Sequence, residues 1–284
     1  MALVDFSDII NFSDYDKLLP LVTNSLIAGA LLALIGGLVG VFVMNRELSF
    51  AVHGISELSF AGAAVFLLVG LDVVLGSVVG SLTAAAIIAF LGDRARDRNS
   101  IVAVLMPFGL GIGILALALY PGRAANKFGL LTGQIVAVDD PKLGAMVVIS
   151  TIVLISLALM WRPLTFASLD GEVAAARGVK TTLLGIVFVM LLGLAVAAAV
   201  QIVGALLVLA LLVTPAAAAL RLSSSQLWVP VLSVSFALVS MVGGTLLALG
   251  GTLPISPYVT TISFTIYLVA RLIAWTKSKA EVVR

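Results

Sequence analysis

The chain reads as an all-α polytopic membrane protein with about nine transmembrane helices. Three observations carry that reading. Hydrophobic residues fill 62% of its 284 positions and charged residues only 11%, whereas a soluble domain carries about 25% charge. Mean hydropathy is +1.24, and a chain of this kind lacks the polar side chains to cover a water-exposed surface. Finally, the apolar residues gather in windows of about 20, the length a helix needs to cross roughly 30 Å of hydrocarbon.

In chain order the windows fall at 18–44, 49–70, 72–91, 101–119, 143–160, 183–200, 202–220, 230–249 and 257–275. The first is overlong for one crossing, so it tilts or includes a surface turn. The joints at Gly70–Asp72 and Val200–Val203 are very short. One of these hairpins could therefore be a broken or re-entrant helix, with eight or ten crossings as the alternatives. Pro107 and Pro215 lie within or beside helices, where each removes a backbone donor and bends the axis, for packing or for a gate. Gly36 and Gly40, Gly109 and Gly113, and Gly243 and Gly244 let helices approach closely in lipid.

Basic residues orient the stack. Twelve of them (Arg46, Arg94, Arg96, Arg98, Arg162, Arg177, Lys180, Arg221, Arg271, Lys277, Lys279 and Arg284) fall on one side of this arrangement, against four (Lys17, Arg123, Lys127 and Lys142) on the other. The richer side is cytoplasmic, so the C-terminus is inside and nine crossings place the N-terminus outside. Met1–Asp8 has no basic region ahead of an apolar one and does not resemble a cleaved signal peptide. The net charge of +2 adds little to this.

Several chemistries are excluded. With no cysteine there is no disulfide, thiolate metal site or thiol nucleophile. No glycine-rich loop ending in Lys-Ser/Thr is present for nucleotide, and no relay of acidic residues and histidines runs through several spans, as a proton-driven carrier would need. If the chain pumps, another subunit supplies the energy. No residue is expected to act as a covalent catalyst, and no enzyme activity is expected of the chain itself.

One pair of residues stands out against this background. His53 is the sole histidine, and Glu57 follows four positions later in an almost charge-free apolar run. On a helix that spacing puts both side chains on one face. An imidazole nitrogen and a carboxylate oxygen both suit a borderline or moderately hard divalent cation. Ionisable groups in a membrane segment line a path or a partner interface. The competing reading is a histidine satisfied by Glu57 or by a backbone carbonyl near the cytoplasmic boundary, since the window places His53 only about one turn inside.

The segment from Trp161 to Thr182 differs from the spans. It has an acidic start, an alanine-rich middle and a glycine stop. Asp170 or Ser168 could cap its first turn and Gly178 could end it. It is either a linker resting on headgroups or a helix on which a cytoplasmic partner docks.

Three stretches resemble the permease subunit of bacterial ABC importers for manganese, zinc or iron, the metal-chelate-type ABC-3 permeases. Arg46 through Gly62 is similar to the family segment that begins with an arginine and continues Gly-Asp-x-x-x-His. Asp170-Gly-Glu-Val-Ala-Ala-Ala-Arg-Gly-Val179 is similar to its cytoplasmic coupling helix. Val203 through Arg221 is the strongest match. The family places aspartate where this chain has His53 and histidine where it has Glu57, so the pair is inverted while both ligand types are kept.

The resemblance implies a type II ABC importer permease fold: a single permease domain over 1–284 with a short coupling helix at about 168–178. It implies Mn²⁺, Zn²⁺ or Fe²⁺ as cargo and no tightly bound cofactor; oxygen ligands and the absence of sulfur lean toward manganese or iron, with Mn²⁺ the first expectation. His53 and Glu57 are the implied metal ligands. Asp170, Glu172, Arg177 and Gly178 are the coupling residues. Arg46, Gln201, Thr214 and Pro215 are candidates for path or gate, beside the plainer roles of a positive-inside anchor for Arg46 and a hairpin hydrogen bond for Gln201.

The implied partners are a second permease copy, a cytoplasmic ABC ATPase dimer, an extracytoplasmic solute-binding protein and the lipid of a bacterial plasma membrane, with no nucleic acid. Asp139, Asp140 and Lys142 form either a docking loop for the binding protein or an ordinary solvated one. The alternatives are an ABC permease for a metal chelate or small organic solute, and a secondary metal carrier acting alone.

Overall fold

The computed structural model describes residues 15–92, 95–122, 129–130, 138–249 and 254–282. Among the described residues it is helical throughout, without strands. A short helical turn at Tyr15–Leu18 and a 3-10 turn at Leu19–Val22 lead into α1 (Thr23–Asn45). Then come α2 (Ser49–Leu68), α3 (Val73–Leu91), α4 (Ala95–Leu119), α5 (Asp140–Leu169), α6 (Gly171–Ala176), α7 (Thr181–Val203), α8 (Val208–Leu212), α9 (Thr214–Leu222), α10 (Trp228–Ala248) and α11 (Ile255–Val282). Eight helices among the described residues are long and apolar enough to cross a membrane. The count falls within the expected range, but one expected window is not a continuous helix.

That window is 202–220, and its own residues break it. Gly204 ends α7 with φ 78° and ψ 161°, a conformation open essentially to glycine alone. A 3-10 turn follows at Ala205–Leu207, then α8. Pro215 lies in the first turn of α9. It has no N–H to donate to the Leu211 carbonyl, so the helix restarts instead of running on. Gly36 faces that freed carbonyl: a Cβ on Gly36 would lie 3.1 Å from the Leu211 oxygen, and one on Gly40 would collide with the oxygen of Leu212. Two glycines that the sequence marks only as small thus make room for an interrupted helix.

A second difference concerns α5. The helix runs on from the expected window through Leu169, and 30 residues make it about 45 Å long, more than the hydrocarbon requires. It stops where Asp170 turns to φ −150° and ψ 101°. Trp161 therefore belongs to α5, packed edge-on against Phe42 with ring centroids 4.8 Å apart. Ser168 does not cap α6. Its hydroxyl donates to the Leu164 carbonyl at 2.7 Å.

The chain divides into two compact units, residues 1–41, 135–143 and 210–284 in one and 42–134 and 144–209 in the other. In the first, α9, α10 and α11 pack together, and Ser233 on α10 donates to the Gly37 carbonyl of α1 at 2.7 Å. In the second, α2 packs against α3 and α4 and also touches α7, while α3 packs on α7. The His53–Glu57 pair belongs to this second unit.

Candidate metal path

The site begins at the turn that feeds α2. Leu48 N–H donates to the Val43 carbonyl at 2.8 Å and Glu47 N–H to the Met44 carbonyl at 3.3 Å, the paired bonds of a Schellman helix stop. Glu47 occupies its left-handed position with φ 55°, where glycine is the usual residue. Leu48 is buried and starts α2 directly, which fixes the register of the residues that follow.

Close backbone contacts hold α2 on two sides. A Cβ on Gly109 of α4 would sit 2.6 Å from Leu58 Cδ1 and 3.1 Å from the Glu57 carbonyl oxygen. Gly113 faces the Phe60 ring. Toward α3, a Cβ on Gly62 would strike the Gly76 carbonyl, and one on Gly80 would strike that of Leu58. Ser59 and Ser77 hydroxyls meet at 2.7 Å in the same buried seam. Polar groups along this seam are largely satisfied by one another.

His53 and Glu57 are not. His53 Nε2 lies 3.9 Å from Glu57 Oε1, too far for a hydrogen bond. His53 Nδ1 and Glu57 Oε2 are both buried without a hydrogen-bond partner. The His53 side chain is 28% exposed and that of Glu57 only 5%, so the imidazole sits at an opening and the carboxyl group behind it. At 1.5 Å per residue, His53 is about 6 Å and Glu57 about 12 Å from the first residue of α2. The carboxyl group thus lies near the middle of the helix, deeper than the histidine alone suggests.

The remaining candidates lie elsewhere. Arg46, in the α1–α2 turn, accepts through its carbonyl from Arg98 Nη at 3.4 Å. Gln201 Nε2 donates to the Val73 carbonyl at 3.3 Å, tying the end of α7 to the start of α3, away from His53 in sequence and along the helices. Thr214 and Pro215 are in the other compact unit, at the start of α9. Among the described residues no group of three or more His, Cys, Asp or Glu side chains gathers as a metal site. Among the described residues, His53 and Glu57 are thus a pair of candidate donors, short of the four or more that a closed site uses.

A family model for the ABC 3 transport family matches residues 19–274. The chain belongs to the ABC 3 transport family. Its relatives include the manganese transport system membrane protein MntC of Halalkalibacterium halodurans, 27% identical over 233 residues that cover 81% of this chain and 80% of that protein. The manganese import system permease protein ScaB of Streptococcus parasanguinis is 25% identical over 252 residues, 88% of this chain and 90% of its own. Among solved structures, PsaBC from Streptococcus pneumoniae in complex with Fab aligns with a TM-score of 0.79 at 25% identity, covering 90% of this chain and 92% of that one.

In this ABC 3 chain the segment after α5 is built as a discrete helix. The Asp170 carboxylate accepts from Val173 N–H at 2.9 Å, capping α6. Glu172 lies in the first turn, where a negative charge suits the helix dipole. Arg177 closes the helix, and Gly178 follows with φ 88°. Val179 N–H then donates to the Ala174 carbonyl at 3.0 Å, again a Schellman stop. Ala174 is buried, while Gly171, Glu172, Val173 and Ala175–Gly178 are exposed. The helix thus presents Glu172 and Arg177 on an exposed surface.

Two features of the site escaped the sequence reading. Gly109 appears there only as a small residue, although it sets the approach of α4 to the carboxyl-bearing turn. Arg98 reads from its neighbours as part of a solvated cytoplasmic turn and as one of the basic residues that orient the stack, yet it lies in α4 with its Nε buried and without a partner.

Proposed function

We propose that this chain is the membrane permease subunit of an ATP-driven manganese importer in a bacterial plasma membrane. In this reading two copies form the path, and His53 and Glu57 of each copy hold the ion in transit. The observation that carries it is the buried, unpartnered His53 Nδ1 and Glu57 Oε2 beside a pair too far apart to satisfy each other. Buried polar groups are normally hydrogen-bonded, and an ionisable pair left open inside a spanning helix marks a path for charge. The manganese transport named for MntC and ScaB supports the choice of cargo. Nitrogen and oxygen donors without sulfur also suit Mn²⁺.

Two ligands per chain make a half-site, and a symmetric partner supplies the other half. Such a site holds the ion loosely, as passage requires: binding must be favourable enough to enter and weak enough to leave. An extracytoplasmic solute-binding protein delivers Mn²⁺ to the outer mouth. A cytoplasmic ATPase dimer hydrolyses ATP, so the chemistry takes place outside this chain. Asp170, Glu172, Arg177 and Gly178 carry the ATPase movement through α6 into α5 and α7. The 3-10 turn with α8 and α9, residues 205–222, makes the ninth crossing in two pieces. This keeps the C-terminus cytoplasmic and the N-terminus outside.

The test is uptake and metal-stimulated ATP hydrolysis in vesicles holding the permease, its ATPase and the loaded binding protein, with Mn²⁺, Zn²⁺ and Fe²⁺ compared. Manganese uptake that collapses in H53A and E57A while the complex still assembles is the expected result. Unchanged uptake in both variants overturns the assignment of the pair. Flux from the permease alone, without ATPase, overturns the importer reading in favour of a secondary carrier.

A further inference from the structure

A cavity of about 460 Å³ lies beside the α1–α2 turn, among the ends of α3, α4, α5 and α7. Arg46 and Arg98 share its wall with the hydroxyl-bearing Thr181 and Thr182, and Ile88 and Val189 give it an apolar side. Ile88 and Val189 are buried, whereas the arginines and threonines are at least partly exposed. The cavity is therefore basic at one side and greasy at the other. Its size falls in the range of small-molecule sites, roughly 300–1,000 Å³.

Among the described residues neither Arg46 nor Arg98 has a carboxylate within ion-pair distance, and Arg98 Nε is buried and unpartnered. Glu47, on the same turn, exerts its field on Arg98 only from beyond that range. Burial, and next to it the like charge of Arg98, lower the pKa of Arg46 below the usual guanidinium value. Two like charges drawn together on a partly buried wall favour the arrival of a counter-charge.

We propose that this cavity binds the headgroup of an anionic phospholipid, its phosphate diester on Arg46 and Arg98 and its glycerol and first acyl carbons against Ile88 and Val189. Basic pockets between helices at the cytoplasmic side of a membrane suit such headgroups, and arginine meets phosphate oxygens with a two-pronged fork. Thr181 and Thr182 offer hydroxyl donors for further phosphate oxygens. The apolar wall favours a lipid over free phosphate or an acidic side chain, neither of which would cover it. The cavity also touches Gly171, the first residue of α6, and Thr181, the first residue of α7. A bound lipid would thus brace the helix that we assign to ATPase coupling. The inference takes from the proposed function only the cytoplasmic placement of Arg46 and is independent of the cargo.

The experiment is native mass spectrometry of the full-length, metal-free permease after equilibration with mixed micelles of dioleoylphosphatidylglycerol or dioleoylphosphatidylcholine. Wild type should retain phosphatidylglycerol over phosphatidylcholine. Affinity should fall roughly fivefold for each arginine neutralised and about 25-fold in R46Q/R98Q. R46K/R98K, which keeps both charges but loses the fork, should bind better than R46Q/R98Q and less well than wild type. Should R46Q/R98Q fail to fold, Thr182→Trp fills the cavity with both arginines in place and should also exclude the lipid. Equal retention of the two lipids, or phosphatidylglycerol binding unchanged in both R46Q/R98Q and Thr182→Trp, overturns the proposal. So does displacement by glycerophosphate at the same concentration as lipid, which indicates a free-anion site. Unchanged lipid binding with loss of ATPase co-purification in R46Q/R98Q would mark a protein docking socket instead. All arms omit metal, so failure of the manganese assignment would leave the result interpretable.

Discussion

Glu57→Met separates what the carboxyl group costs the protein from what it gives the ion. Methionine has similar length and no polar terminus. In the structure Glu57 Oε2 is buried without a partner and Oε1 is 3.9 Å from His53, so the change breaks no hydrogen bond made within the chain. Insertion scales place an acidic residue at mid-helix about 2.5–3.5 kcal/mol above water, against a small negative value for apolar residues. Glu57 itself is buried, but the neighbouring His53 side chain is 28% exposed, and this opening reduces the difference, so the metal-free variant should be more stable by about 1–2 kcal/mol. Mn²⁺ should act the other way. At a hundred times its Kd, a ligand adds about 2.7 kcal/mol to the state that binds it. At roughly 2–4 °C per kcal/mol for a chain of this order of size, the wild-type gain is about 5–10 °C. Thermal unfolding of the solubilised permease with and without MnCl2, and with MgCl2 as control, reads both effects. The expected outcome is a higher Tm for E57M without metal and no Mn²⁺ shift. A lower metal-free Tm with the full Mn²⁺ shift retained would refute the reasoning, because Glu57 would then be a structural group and not a ligand.

Three further outcomes follow from contacts described above. Gly109→Ala should destabilise the permease by about 1–3 kcal/mol, since its Cβ would press Leu58 and the Glu57 backbone; an unchanged Tm would show that α4 can retreat freely. Asp170→Ala removes the cap on Val173 N–H and should cost about 1 kcal/mol locally, seen as faster hydrogen exchange in α6. It should also lower metal-stimulated ATP hydrolysis while Mn²⁺ binding persists, and loss of binding would contradict a coupling role. Gln201→Leu should cost about 1 kcal/mol by removing the side-chain bond that ties the end of α7 to the Val73 carbonyl. Its uptake rate should stay near wild type; a collapse at normal stability would place Gln201 in the path.

Hydropathy made the membrane class and most helix positions legible, because crossing hydrocarbon imposes a length and composition that few other structures share. Boundaries written in local chemistry were legible too. Asp170 and Gly178 bracket α6 in the sequence and do so in the structure. The broken crossing was harder to read. A hydropathy window sums side chains, and it cannot register that Gly204 adopts a glycine-only conformation or that Pro215 withholds one donor. The extension of α5 was hidden for the converse reason: Trp161–Leu169 is more polar than a span, yet helix persists until Asp170 stops it. At the site, the spacing of His53 and Glu57 was visible. Their unsatisfied state was not, since it depends on which neighbours decline to donate. Gly109 and Arg98 acquire their meaning only from residues far away in sequence.

The glycine-lined packing of α2 bears on why an unsatisfied pair can exist there. Side chains that interlock around a helix bring donors and acceptors with them, and an open carboxyl group would soon find one. Along α2 the near neighbours are instead backbone to backbone, at Gly109 on one side and Gly76 and Gly80 on the other. Nearby hydroxyls are already engaged, Ser59 with Ser77 and Ser56 with the His53 carbonyl at 2.8 Å. The helix is thus closely packed while the face carrying His53 and Glu57 is left chemically unanswered. Had a neighbouring hydroxyl or amide satisfied Glu57, an arriving cation would have to displace that bond, and part of its binding energy would go to repairing the protein. In the function proposed above, a pair kept unsatisfied leaves its coordinating capacity to the ion. With two proposed ligands from each chain where a closed site needs at least four, release would remain as accessible as capture.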